Sequence, residues 1–260
     1  MKRKSLLVGP ALAALWFVAG SFSVSPLAMA QAAVQPSNPM QAEARARLDK
    51  KQLHNVSVSV EENVATLTGT VDLYAYKAEA GKLAARTHGV TSVHNLIEVG
   101  GPATADSELQ DKLVRKLMYD RVGYWNMFNA IALHVEGGVV TLAGHARTEI
   151  DRDSAVTLVA YMPGVKGLVD QVQIDPVSTM DDRTRLAVAR AVYGYPTLNR
   201  YALDPAKPIR ISVQNGNVEL YGMVDSKSDR DIAYLRANGV GGVFSVTNFL
   251  VVSEGSKARQ

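Results

Sequence analysis

Val139-Val140-Thr141-Leu142-Ala143-Gly144, followed twenty residues after its glycine by Gly164-Val165-Lys166-Gly167-Leu168, is the stretch from which the fold can be read. The first part alternates as a half-buried strand does. It is preceded by a second alternating run, Ala130-Ile131-Ala132-Leu133-His134-Val135, and the turn signal Glu136-Gly137-Gly138 joins the two as a β-hairpin. Upstream, Asp106 to Met118 places Leu109, Leu113, Val114, Leu117 and Met118 at helical steps, with Asp106-Ser107-Glu108 suited to its first turn. Downstream, Thr148 to Tyr161 carries Ile150, Ala155, Leu158 and Val159 as the inner stripe of a second helix. Pro163-Gly164 ends that helix and Val165 to Ile174 reads as a last strand. The order is helix, strand, strand, helix, strand.

The same text occurs twice more. Thr66-Leu67-Thr68-Gly69 and Glu219-Leu220-Tyr221-Gly222 match the strand before Gly144, at spacings of 75 and 78 residues. Gly89-Val90 and Gly242-Val243 follow, again twenty residues on. An internal repeat fixes architecture, because each unit is one folding element copied along the chain. In the first copy the expected elements are Ala42–His54, Val56–Val60, Val64–Thr68, Tyr74–Thr87 and Val90–Val99. In the third they are Asp182–Tyr193, Ile209–Val213, Val218–Tyr221 across Asn215-Gly216, Asp229–Ala237 and Val243–Val252. A strand–helix–strand return is almost always right-handed. The expected fold is therefore α+β: three tandem αββαβ modules, each a small three-stranded mixed sheet with two helices on one face. The paired glycines read as scaffold, the first at a sharp strand-to-helix turn and the second as a left-handed helix cap.

Residues 1–30 read as a cleavable signal peptide, with Lys2-Arg3-Lys4 before an apolar run and Ala28-Met29-Ala30 before the cut. The alternative is an uncleaved anchor helix. Residues 31–41 read as a flexible linker, 42–101, 102–176 and 177–253 as the three modules, and 254–260 as a flexible tail. The chain has 28 Lys+Arg and 25 Asp+Glu, and the signal holds three of the bases and no acid. The remainder balances at 25 against 25, so its basicity gives no reason to expect nucleic-acid binding. The absence of cysteine excludes disulfides and a lipoprotein anchor. With 47% apolar residues, units of this size form packed cores, but each is marginal alone and gains from leaning on its neighbours.

The hairpin Ala65-Thr66-Leu67-Thr68-Gly69-Thr70-Val71 with Gly89-Val90-Thr91-Ser92-Val93-His94-Asn95-Leu96 resembles the BON domain, named for bacterial osmotic-shock and nodulation proteins. Val218-Glu219-Leu220-Tyr221-Gly222-Met223-Val224 with Gly242-Val243-Phe244-Ser245-Val246-Thr247-Asn248-Phe249 repeats it. The middle copy departs, with Asp170 for the asparagine and Gln171 for the apolar residue. The resemblance implies a non-enzymatic periplasmic protein, secreted if the source has no outer membrane. It also implies association with envelope phospholipids in osmotic or envelope stress, or else a scaffold or chaperone-like protein-interaction role. It brings no catalytic residues.

Two dissimilar helix-to-hairpin loops are the expected contact sites for anionic phospholipid or an envelope protein. The first offers Tyr124, Trp125, Met127 and Phe128, rings and a thioether suited to a headgroup boundary. The second offers Tyr195, Arg200, Tyr201, Lys207 and Arg210, with three prolines to stiffen it and Arg190 nearby. The bland reading makes both loops buttresses of the hairpins. Asp151-Arg152-Asp153 and Asp229-Arg230-Asp231 read as helix-capping acids after Thr148 and Ser226, not as a metal site. No histidine spacing, nucleophile motif or phosphate loop points to an enzyme, a metal or a cofactor.

Overall fold

A computed structural model describes residues 38–101, 104–119, 127–204 and 207–253. The stretch read as a signal peptide, most of that read as a linker, Tyr124 and Trp125, and the stretch read as a tail lie outside the described residues. Each hairpin forms as read and is extended by a parallel last strand. In the first copy β1 (Val56–Glu61) pairs antiparallel with β2 (Val64–Val71), which pairs parallel with β3 (Ser92–Asn95) and β4 (Glu98–Val99). In the second β5 (Ala130–Glu136), β6 (Val139–Ala146) and β7 (Gly167–Ile174) repeat the arrangement. In the third β8 (Arg210–Gln214), β9 (Asn217–Val224) and β10 (Ser245–Val252) repeat it again. The hairpin's second strand is central in all three sheets.

The helices are α1 (Pro39–Arg47) and α2 (Tyr74–Ala85), then α3 (Asp106–Tyr119) and α4 (Glu149–Ala160), then α5 (Thr179–Tyr193), α6 (Arg200–Leu203) and α7 (Lys227–Asn238). Each copy buries its own apolar cluster between helices and sheet, centred on Leu53 and Leu67, on Leu109, Leu113 and Leu142, and on Val188, Ile211 and Leu220. Three starts are earlier than expected. Helix α1 begins inside the stretch read as linker, because the Asn38 side chain accepts from the Met40 N–H and Pro39 pre-sets the first turn. Helices α5 and α7 start at Thr179 and Lys227 because Ser178 and Ser226 cap them.

The capping acids are as read. The Thr148 hydroxyl accepts from the Asp151 N–H at 3.1 Å and donates to its carboxylate at 2.7 Å. Ser226 and Asp229 make the same pair at 3.1 and 2.8 Å.

The repeat glycines need a correction. Gly69, Gly144 and Gly222 do not turn strand into helix; they lie inside β2, β6 and β9, with two more strand residues after each. Gly144 has φ +105, and a Cβ there would sit 2.1 Å from the Ala130 carbonyl oxygen. The glycine lets the hairpin's first strand enter close against the central one.

The motif asparagine also has a structural explanation. Asn95 donates its amide to the Lys77 carbonyl and accepts from the Ile97 N–H, and Asn248 does the same with Arg230 and Leu250. It ties the last strand to the second helix. Asp170 cannot donate that bond. It still accepts from the Val172 N–H, and the Arg152 side chain lies 3.6 Å from its carboxylate, so a charge pair replaces the amide. Asp106, read in sequence only as a first-turn acid, and Asp181 each accept two backbone N–H groups from the facing hairpin turn, Gly137–Gly138 and Asn215–Gly216.

The copies lean on one another as their small cores require. Tyr74 packs against the second core, and Tyr76 meets Tyr161 edge to face at 6.1 Å. Between copies two and three the joint is polar and buried. Arg185 on α5 donates to Asp175 at 3.0 Å, to the Val213 carbonyl at 2.6 Å and to Asp182 at 2.8 Å. Gln214 donates to Asp175 and lies 2.9 Å from His145 Nδ1 on β6.

Candidate binding surface

Two of the loop rings, Phe128 and Tyr201, prove to be internal, while most of the described residues around Tyr201 are exposed. Phe128, 1% exposed, crosses from the second copy into the core of the third, and Met127 packs beside it. Tyr201 is 2% exposed; its hydroxyl donates to Asp229 at 3.0 Å and accepts from the Asp225 N–H at 2.7 Å. Burial pushes that phenol upward, so it stays a neutral donor. Neither ring can serve an outside partner in this arrangement. Phe128 joins two copies and Tyr201 fills the core of its own, which an isolated aromatic in sequence does not reveal.

The bases of the second loop are engaged. Arg200 is ion-paired to Asp225 and Asp229, hydrogen bonded to Tyr201 and set over its ring at 5.0 Å. That hydrogen bond, with the acids around it, raises the guanidinium's pKa further. Lys207 Nζ lies 3.5 Å from Asp225. Tyr195 is half-buried under Arg236, whose guanidinium stands 5.8 Å from its ring. Arg210, at the start of β8, is half-buried and lines a cleft between copies.

That cleft, about 330 Å³, is what the loops do not supply. One wall is Val114, Leu117 and Met118 of α3 with Ile131 and Leu133 of β5; the other is Tyr221, Phe249 and Val251 on the third sheet. Alternation along β9 and β10 explains it. Val218, Leu220, Val224 and Leu250 point to the helices and are buried, so Tyr221, Met223, Phe249 and Val251 must point away. Tyr221 and Phe249 stack at 5.0 Å, and the Tyr221 hydroxyl donates to Glu219 at 2.6 Å. Burial, helped by that carboxylate, pushes the Tyr221 pKa upward.

The corresponding register positions in the second copy are all small or polar, and so are those in the first except at Leu96, which stands where Phe249 is. Thr68 and Ala143 stand where Tyr221 is, Thr70 and His145 where Met223 is, and Glu98 and Gln173 where Val251 is. Aligning the copies strand by strand exposes this difference in sequence; attention to the loops missed it. Among the described residues no helix is long and apolar enough to cross a membrane.

Residues 38–101, 105–176 and 197–254 match the family model described as BON domain. No curated protein matches the chain. Among solved structures it is similar to CdsD, a structural protein of the type III secretion system of Chlamydia trachomatis. The identity is 17% over 85% of this chain and 99% of that one, with a TM-score of 0.24. It is also similar to the C-terminal domain of CdsD, at 18% identity over 82% and 96% with a TM-score of 0.25. The PrgH periplasmic domain follows, at 11% over 82% and 100% with a TM-score of 0.20.

Proposed function

The chain belongs to the BON domain family, and from that premise we propose that it is a non-catalytic binding protein of the periplasm whose third copy holds a protein partner. The observation that carries this reading is the bare outer face of the third sheet, with its adjoining cleft. Four large side chains stand exposed or half-exposed there; the second copy places only small or polar residues at these positions, and the first keeps a single large apolar one, Leu96. Contiguous apolar surface of this kind marks contact sites. Its charged neighbours are one acid, Glu219, and one base, Arg210, which gives no electrostatic preference for an anionic bilayer.

The second reading is association with anionic phospholipid in osmotic or envelope stress. It draws support from Arg200 and Lys207, whose side chains are about half exposed despite their ion pairs. Flotation of the purified protein with phosphatidylglycerol-rich vesicles at low salt separates the two. Protein contact predicts that it stays at the bottom of the gradient. Flotation that is lost in an Arg200→Gln, Lys207→Gln variant would establish the lipid reading in its place.

A further inference from the structure

Among the described residues β10 pairs with β9 alone, so its other edge presents a row of backbone groups. The last strands of the other copies are defended. β3 stops after four residues and is separated from β4 by Leu96 and Ile97. β7 carries Asp170 within it and the polar pair Gln171 and Gln173 on its outward face. Charges, breaks and polar residues are the usual means of keeping an edge from pairing.

β10 has neither a charge nor a break, and its polar residues, Ser245, Thr247 and Asn248, are confined to its first half. It runs eight residues without a charge, a proline or a bulge, and its outward residues include Phe249 and Val251, 49% and 60% exposed. On the helix side, α7 flanks the same edge with Tyr234 and Leu235, the latter 65% exposed. Counting from the repeat glycine, the second copy has Val156 and Thr157 there and the first has Gly81 and Lys82. An open hollow of about 390 Å³ runs beneath α7 along this edge, lined by Arg230, Asp231, Tyr234, Leu235 and Asn248.

We infer that β10 is a self-association strand, pairing antiparallel with β10 of a second copy to make one six-stranded sheet. This rests on the third copy being the binding module and names its partner. Three features select a second copy. The strand bears no charge, so meeting itself brings no like-charge repulsion. The symmetric register that sets Phe249 opposite its counterpart also sets Val251 opposite Thr247, keeping every outward residue on one face. The charges nearest the axis are self-complementary. Asn248, mid-strand, is bonded to the Arg230 carbonyl, so the two-fold axis passes beside Arg230 and Asp231. Each copy then offers one base and one acid to the opposite sign in the other.

Sedimentation velocity of the purified protein across a concentration series tests this, together with a cysteine reporter, since the chain has no cysteine of its own. The wild type is expected to sediment as a monomer–dimer equilibrium. Phe249→Lys sets two lysines face to face across the axis and should weaken dimerisation about tenfold or more, with an unchanged circular dichroism spectrum. Phe249→Cys should form a disulfide-linked dimer on mild oxidation, while Gln171→Cys, at the matching position of β7, should not. A wild type that stays monomeric throughout, with Phe249→Cys linking no faster than Gln171→Cys, overturns the inference. If position 249 nevertheless crosslinks to a different protein in cells, the second copy is wrong as partner and the proposed function stands.

Discussion

Arg185→Met is expected to cost about 3–5 kcal/mol of stability at neutral pH, the loss seen when one partner of a buried ion pair is removed. The Arg185 and Asp175 side chains are almost wholly buried, and Arg185 also satisfies the Val213 carbonyl in the joint between the second and third copies. Burial holds the Asp175 carboxyl above its ordinary value, and Arg185 is the main influence pulling it back down. Without the guanidinium the folded-state pKa rises further. A carboxyl whose folded pKa exceeds its unfolded one is destabilising above the folded pKa, and that cost falls as pH drops toward the unfolded value near 3.8. The deficit of Arg185→Met, measured by urea denaturation, should therefore be largest at neutral pH and shrink on acidification. A pH-independent deficit would mean that Asp175 is not the group left uncompensated.

Gly144→Ala is expected to be at least as damaging, about 4–5 kcal/mol, which is a large part of the stability of a small domain. The added methyl group would meet the Ala130 carbonyl oxygen at 2.1 Å, on a backbone at φ +105 that L side chains rarely adopt. Nothing nearby can yield, because β6 is the central strand and the obstructing atom is backbone. Gly241→Ala supplies the control. No atom lies within 4 Å of a Cβ at that position and its φ is unremarkable, so its effect should stay within about 0.5 kcal/mol. Thermal unfolding of the two variants side by side checks the difference.

The fold was legible because its evidence is periodic and local. Alternation gave the hairpins, three- and four-residue spacing gave the helices, and the glycine pairs gave the register of the copies. What stayed hidden was long-range. Phe128 looks like a loop aromatic until the third core is seen to need it. Arg185 and Asp175 look like ordinary surface charges, ten residues apart, until the joint buries both. The role of Gly144 was misread because a close backbone approach leaves the same residue in the sequence as a turn does. For the binding surface the relevant signal was present but sits in strands. Tyr221, Met223, Phe249 and Val251 occupy alternating positions that, read one copy at a time, look like ordinary strand residues. Only their counterparts in the first two copies, small or polar everywhere except at Leu96, mark them as a departure.

The most direct test of the third sheet as the binding surface is site-specific photocrosslinking in living cells, with a photoreactive side chain placed in turn at positions 249, 171 and 200. Position 249 lies on the bare face, 171 matches it in the second copy, and 200 represents the basic loop. A protein adduct at 249, with little or none at 171 and 200, is the expected result. Adducts at 200 but not at 249, or equal yields at 249 and 171, would contradict it.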